Sequence, residues 1–498
     1  MGPVDLKSDG AVAPSPLATD TAAHKRTVRI AQALVIAILL TTPVVMCLRN
    51  FNMGDNDVWW HLRTGEWIAI HHAVPEIEPF SRPVAGQPWI AYSWAFELLL
   101  YRLFLSSGLA GFAIYTVAMV LLTCVALYWM IQRQGLELPP AAIIAFAGMY
   151  SMAHLYTPRP WLFTVFLFVC ELGIIMHARR TGKTHHLIWL PLIFAIWANV
   201  HIQFIDGLCI LALALAEAVS ARWWSGAQKT LAAPPLATAF AASIVATFAN
   251  PYGWRIYRVA HDLATQAGVM DKINELKALP FRDPAAYVVL LLALASAAIL
   301  GYQRKVLSFE GALLAFAAVL SFRSQRDVWL IAAVAAAIIA PAIPKARKAV
   351  EVPTAGVVAA AFGIAIMFSA AACRLLRLNN ASLKSGLEQQ MPARATDYIL
   401  AHEYPGPIFN DFNWGGYLIW KLRMPVSLDG RAALYGDTAI DRSVATWSGA
   451  PDWAADPLLA SARLVIAPVQ GPLTQLLRRD SQYQMVYEDK LAAVFTRR

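Results

Sequence analysis

The sequence predicts an all-α polytopic membrane bundle of about eleven transmembrane helices, with interfacial helices in its first outer loop and a C-terminal soluble α/β domain. Three observations predict it. Of 498 residues, 58% are hydrophobic and only 15% charged, against about 25% charged in a typical soluble domain. The mean hydropathy is +0.50. The apolar residues also come in blocks of roughly the 20 residues that a bilayer-crossing helix needs. In lipid such blocks must be helical, because every backbone N–H and C=O has to be paired within the segment. The alternating pattern of a membrane β-barrel is absent.

Residues 1–27 are rich in Ala, Pro, Ser, Asp and Lys without periodicity and predict a disordered cytoplasmic tail. The block 28–48 is the first span; it is long and has no small-residue cleavage site of the kind that ends a signal peptide. Further spans are expected near 108–131, 139–156, 161–178, 187–199, 202–220, 233–249, 285–302, 307–321, 326–343 and 353–373, which bounds a transmembrane domain at 28–373.

Lys and Arg set the orientation. With Lys25, Arg26 and Arg29 cytoplasmic, the loops with Arg179, Arg180 and Lys183, with Arg222 and Lys229, with Arg304 and Lys305, and with Lys345, Arg347 and Lys348 fall on the same side. The formal charge of +9 is then that of positive-inside loops. Nucleic-acid binding would need a basic stripe on a soluble module, and none is visible. Cys47, Cys124, Cys170, Cys209 and Cys373 all lie in apolar blocks without metal or disulfide spacing.

An odd number of spans leaves the C-terminal region outside. Two outer loops are too long to be mere connectors, 49–107 and 250–284, the second opening with Asn250-Pro251-Tyr252-Gly253-Trp254. Region 374–498 is soluble in composition. "GPIFNDF" reads as strand and turn, "WGGYLIWKL" as a helix, "PVSLDGR" as a second strand, and "SARLVIAP" and "YQMVYEDKLAAVFTRR" as further strands, hence a small extracytoplasmic α/β domain.

The first outer loop carries the strongest chemical signal. Asp55 and Asp57 form an Asp-x-Asp pair directly after a span, and Asp57 can cap the helix that follows. Asp57, His61 and Thr64 share one face of that helix by their i, i+4, i+7 spacing. Trp59, Trp60, Leu62, Trp67 and Ile70 fall on the other side, where Arg63 and Glu66 can pair at i, i+3. This describes an amphipathic helix in the headgroup zone. A carboxylate there can take a proton from an acceptor hydroxyl. Two carboxylates one residue apart can also hold a divalent cation, Mg2+ or Mn2+, against a phosphate. Turn and cap roles would satisfy a lone Asp-x-Asp equally.

Other polar residues fall at the same outer ends: His154, Arg159, Asn199, His201, Gln203, Asp206, Asn250, Arg255, Arg323 and Arg326. Snorkelling explains any one such arginine, and a satisfied buried imidazole explains His201. Ionisable groups near the membrane are nevertheless expensive and mark function. Their convergence predicts a phosphate-friendly cavity, with arginines matching phosphate oxygens. Glu171 lies mid-span, where an internal hydrogen bond is expected.

The stretches "DNDVWWHLRTGEWI", "PEIEPFS", "TPRPWLFT", "ANVH", "NPYGWRIY", "NDFNWGGYLIW" and "LDGRAALYG" together resemble a bacterial branch of the GT-C superfamily of polytopic membrane glycosyltransferases. The branch has Gly after the histidine of its N-x-H stretch, where this chain has Ile202. The resemblance implies an enzyme that moves a sugar from a polyprenyl-phosphate donor to a glycan, lipid or protein acceptor at the outer side of a bacterial cell membrane. It also implies an essential acid in the first outer loop, Asp57 or Asp55. Arg159, Arg323 and Arg326 become candidates for the donor phosphate, and His61, Arg63, His201 and Arg255 further candidates for substrate. A transporter or flippase would instead need polar, broken helices near the midplane in repeated halves, and no repeat is visible. In a non-catalytic assembly protein, "WGGYLIW" and "LDGR" would do the binding. Alternatively Gly415 and Gly416 ease helix entry, and Asp429 and Arg431 close a strand.

Overall fold

A computed structural model describes residues 16–221, 230–265, 273–305, 308–344, 353–375 and 379–498. Residues 1–15 of the expected tail, and Arg222, Lys229, Lys345, Arg347 and Lys348 from the orientation argument, lie outside these residues. Helix α1 (Pro16–Asn50) begins earlier than expected, so 16–27 is helical rather than disordered. Pro16 opens the helix where its missing N–H is harmless, and neither Gly nor Pro follows before Pro43.

All eleven apolar blocks form helices, but among the described residues six are long and apolar enough to cross a membrane. These are α1, α4 (Ala110–Gln132), α6 (Trp161–Thr181), α11 (Pro284–Tyr302), α13 (Trp329–Ile339, extended by 3-10 turns to 325–342) and α14 (Ala355–Leu375). Helices α5 (Leu138–Ser151), α7 (Leu190–Val200), α8 (Phe204–Ser220), α9 (Ala233–Thr247) and α12 (Phe309–Arg323) are shorter. The shortening has a local cause at block 139–156. Its helix stops at Ser151, and a 3-10 turn at Ala153–Leu155 leads into Pro158 and Pro160. Helix α13 is buried on every side from Trp329 to Ile338, as expected of a bundle centre. Helix α14 instead turns Phe362, Ile366, Met367 and Phe368 outward, an apolar surface that belongs against lipid rather than water.

The loop 49–107, expected to be the first outer loop, holds α2 (Asp57–His71) and α3 (Trp94–Ser107). Helix α2 is not the interface helix with an open polar face that its periodicity predicts. His61, Thr64 and Glu66 are buried together with Trp59, Trp60 and Leu62, because α3 and a helix of the C-terminal domain, α17 (Gly415–Leu422), both pack on it. The absence of a side chain at Gly416 permits that approach: a Cβ there would stand 2.4 Å from the carbonyl oxygen of Asn56. The second outer loop contributes α10 (Arg255–Thr265) and a 3-10 turn at Asn274–Leu276. Tyr252 ties the two loops, its hydroxyl donating to Pro75 O (2.9 Å) and accepting from Ala91 N–H (3.1 Å).

After α14 come α15 (Asn380–Glu388) and α16 (Ala393–Ala401), then a four-stranded sheet. Strands β1 (Ile408–Asn410), β2 (Leu464–Pro468), β3 (Tyr483–Glu488) and β4 (Ala492–Arg497) lie in the order β1-β2-β4-β3, with only β1–β2 parallel. Phe409 pairs with Val465, and Val465 with Phe495, which gives one face of the sheet a buried core. The α/β expectation therefore holds, except that "PVSLDGR" is not a strand of this sheet. It is an extended segment whose Val426 makes an isolated bridge to Ser81 of the first outer loop. The parallel β1–β2 crossover contains α17 and α18 (Ala432–Trp447) and brings this segment onto the membrane domain.

Candidate active site

Asp55 and Asp57 sit in the turn between α1 and α2. The Asp57 N–H donates to Asp55 Oδ1 (3.1 Å), which closes the turn and sends both carboxylates the same way. Asp57 does not cap α2 with its side chain; it is the first helical residue, and its carboxylate is taken by Arg159.

Arg159 lies between Pro158 and Pro160 in the connection from α5 to α6, and Tyr115 anchors its carbonyl with a 2.9 Å hydrogen bond. Its Nε donates to both Asp55 oxygens, at 2.7 and 2.9 Å, and its Nη1 to Asp57 Oδ2. Glu275 Oε1, from the 3-10 turn of the second outer loop, is 3.6 Å from Arg159 Nη1 and 3.8 Å from Arg326 Nη1. Three carboxylates thus face two guanidinium groups. Burial pushes the Asp57 carboxyl up to about 7; Arg159 pulls against this, and Asp55 and Glu275 add to it.

Asp55, Arg159, Glu275 and Arg326 border a cavity of about 260 Å3 that is also lined by His154, Leu155, Thr157, Trp161 and Gln325; Asp57 stands behind this lining, bonded to Arg159. The Arg326 Nε and the Thr157 hydroxyl are buried there and have no protein partner among the described residues. They are donors available to an anionic ligand. His154 Nε2 is held at 3.0 Å from the Gln325 carbonyl oxygen.

Of the site residues expected from the sequence, Asp55, Asp57, Arg159 and Arg326 come together. The others do not. His61 is buried behind the site with Nδ1 3.0 Å from Glu97 Oε1 of α3. Burial pushes Glu97 up and His61 down, which favours the neutral form of each. Arg63 pairs with Glu66 as its spacing predicts, but Glu66 also takes Arg423 of the C-terminal domain (2.8 Å), so this is a docking contact. His201 Nδ1 lies 2.8 Å from the Thr164 hydroxyl, which also accepts from Trp197, giving the satisfied buried imidazole. Arg255 opens α10, and Arg323 is exposed at the end of α12; neither borders the cavity. Glu171, expected to be hydrogen-bonded, is fully buried with neither oxygen partnered among the described residues.

Two contributors escape sequence reading. Glu275 is a lone acid in an irregular loop, without periodicity to flag it. The other is the "LDGR" segment. A Cβ on Gly430 would stand 1.8 Å from Asp57 Oδ1, so the C-terminal domain presses on the acid itself. Next to it Arg431 donates to Asp429 (2.7 and 2.8 Å) and to Glu78 (3.0 Å) and lies over the Trp89 ring (4.8 Å). Glu78 also accepts from Phe80 N–H (2.6 Å) and Ser81 N–H (2.9 Å), and Tyr435 donates to Asp429 (2.6 Å). Asp429 and Arg431 therefore lock the C-terminal domain to the "PEIEPFS" stretch rather than close a strand.

The Asp55–Asp57 pair does not form a metal site as it stands. Both carboxylates are engaged by Arg159, and among the described residues no group of three or more His, Cys, Asp or Glu is arranged to hold a metal ion. A divalent cation would have to displace the guanidinium.

The fold has counterparts among solved structures. The chain matches an Archaeoglobus fulgidus oligosaccharyltransferase tethered to an acceptor peptide, with a TM-score of 0.51 at 14% identity, over 89% of this chain and 69% of that one. It matches the A. fulgidus oligosaccharyltransferase AglB, in complex with an inhibitory peptide and a dolichol-phosphate, with a TM-score of 0.53 at 13% identity, over 90% and 70%. The chain has the GT-C fold. No protein-family model matches it, and no curated protein matches it in sequence.

Proposed function

We propose that this protein is a membrane glycosyltransferase that moves a hexosyl or pentosyl unit from a polyprenyl-phosphate carrier to an acceptor at the outer face of the membrane. The observation that carries this reading is the convergence of Asp55, Arg159 and Arg326 at one cavity, with Asp57 bonded to the same Arg159, within a GT-C fold. A dolichol-phosphate bound to a protein of the same fold supports a lipid-phosphate donor. An acceptor peptide tethered to another structure of that fold supports an acceptor approaching the same face. The Lys and Arg distribution supports a cytoplasmic N-terminus and an extracytoplasmic C-terminal domain.

In this reading the Asp57 carboxylate takes the proton of the acceptor nucleophile as it attacks the sugar C1. The C1–O bond to the carrier phosphate breaks, with inversion. The negative charge that grows on the leaving phosphate is met by Arg326, whose Nε is unpartnered. Arg159 holds Asp55 and Asp57 in register. Transfer from labelled polyprenyl-phosphate sugars, compared between the wild type and the Asp55→Asn and Asp57→Asn variants, tests this. Turnover unaffected by both changes would sink the proposed site.

A further inference from the structure

We infer that the face of the bundle opposite the candidate site binds the phosphate headgroup of an anionic phospholipid, through a cluster of Arg133, His177, Arg180, Lys183, His185 and His186. Three segments build it. Arg133 caps the C-terminal end of α4, His177 and Arg180 lie in the last turns of α6, and the other three follow in the connection to α7. Helices α4 and α6 both start beside Arg159, and 21 residues of α6 reach about 30 Å away from it. The cluster is therefore separate from the cavity described above.

The three histidine rings meet. The His177 and His186 rings are 5.2 Å apart, edge to face, and those of His185 and His186 are 3.9 Å apart. Arg133 lies 5.1 Å over the Trp129 ring. Desolvation, then His185, Arg133 and Lys183, lower the His186 imidazole, so these charges share one field. Gathering like charges is unfavourable unless an anion joins them.

The described residues supply no ion-paired acid for that purpose. Arg179, one residue from Arg180, pairs with both Glu217 and Glu310, whereas none of the six is ion-paired with a carboxylate among the described residues. The His177 Nδ1 is buried without a partner among those residues. The level is that of the membrane surface: Ile188 is 76% and Trp189 57% exposed beside the cluster, the apolar and aromatic flank expected where acyl chains meet headgroups. That flank favours a lipid over a soluble phosphate. An unspecific positive-inside loop would need neither the converging segments nor the ring contacts.

Delipidated full-length protein in neutral detergent, titrated with phosphatidylglycerol, phosphatidylcholine or inorganic phosphate and followed by its melting temperature, tests this. Phosphatidylglycerol should raise the melting temperature, and the other two should not. The Arg133→Ala/Lys183→Ala variant should need roughly thirtyfold more phosphatidylglycerol for the same shift. The Arg304→Asn/Lys305→Ala variant, which removes two charges from another loop, should respond as the wild type. Equal responses from the wild type and the first variant, equal losses in both variants, or a matching shift with phosphatidylcholine or phosphate would overturn the proposal. If the first variant does not fold, native mass spectrometry of the wild type from mixed lipid decides. Retention of phosphatidylglycerol over phosphatidylcholine supports the site, and equal retention refutes it.

Discussion

Gly430 lies against Asp57: the space that a Cβ would occupy is already held by the Asp57 carboxylate, 1.8 Å away. The acid after the first span and the "LDGR" segment of the C-terminal domain form one constellation. Replacing Gly430 by Ala should push the carboxylate off Arg159. A misplacement of this order lowers turnover about 100-fold. Transfer rates of the Gly430→Ala variant, measured beside its melting temperature, check this; a well-folded variant with wild-type turnover would contradict it.

Transfer should depend on pH through Asp57. A general base works only when ionised, and this carboxyl is pushed up to about 7. The rate should therefore rise with pH, fall about tenfold per unit well below that value, and level off above it. The Asp57→Asn variant should lose about 100- to 10,000-fold and show no such rise. A pH–rate profile over pH 5–9 reads both.

The Arg431–Glu78 pair is almost wholly buried, with side-chain exposures of 5% and 0%. Arg431 also holds the buried Asp429, so removing it strands two buried carboxylates, and breaking a buried pair in this way destabilises by about 3–5 kcal/mol. Arg431→Ala should thus unfold at markedly lower denaturant than the wild type. Glu78→Ala, which leaves Arg431 paired with Asp429, should be less harmful. Unfolding of both variants in detergent provides the comparison.

Glu97 and His61 make the opposite case. Burial favours the neutral form of both, so Glu97→Gln keeps shape and hydrogen bond and should change stability by less than about 1 kcal/mol. Glu97→Ala leaves the imidazole without its partner and should cost about 1–3 kcal/mol. If Gln proves as damaging as Ala, the pair is charged.

Arg159 and a divalent cation should compete for the same two carboxylates. Manganese titration followed by electron paramagnetic resonance should give weak binding to the wild type, and at least about tenfold tighter binding to Arg159→Ala. Equal affinities would mean that the guanidinium does not guard the pair.

Much of this was legible in the residues. The apolar blocks became helices because lipid leaves them no alternative. Asp55, Asp57, Arg159 and Arg326 stand out because charge is rare near their span ends. What escaped depends on partners distant in sequence. Helical spacing put His61 beside Asp57 but could not reveal that α3 covers that face with Glu97. Arg323 and Arg326 look equivalent as letters; a 3-10 turn at Gln325–Asp327 separates them, bringing only Arg326 to Glu275. "PVSLDGR" has a strand's composition, yet its partner is Ser81 of the first loop rather than a neighbouring strand.

The contact between Gly430 and Asp57 also bears on biosynthesis. Asp57 leaves the ribosome well before Gly430. A nascent chain can thread its early helices into the bilayer while this acid still lacks its final support. The constellation closes only once the C-terminal domain has been made and has docked, so the proposed site is incomplete in partly synthesised chains. Premature termination downstream of α14 would leave an inserted bundle without an assembled site.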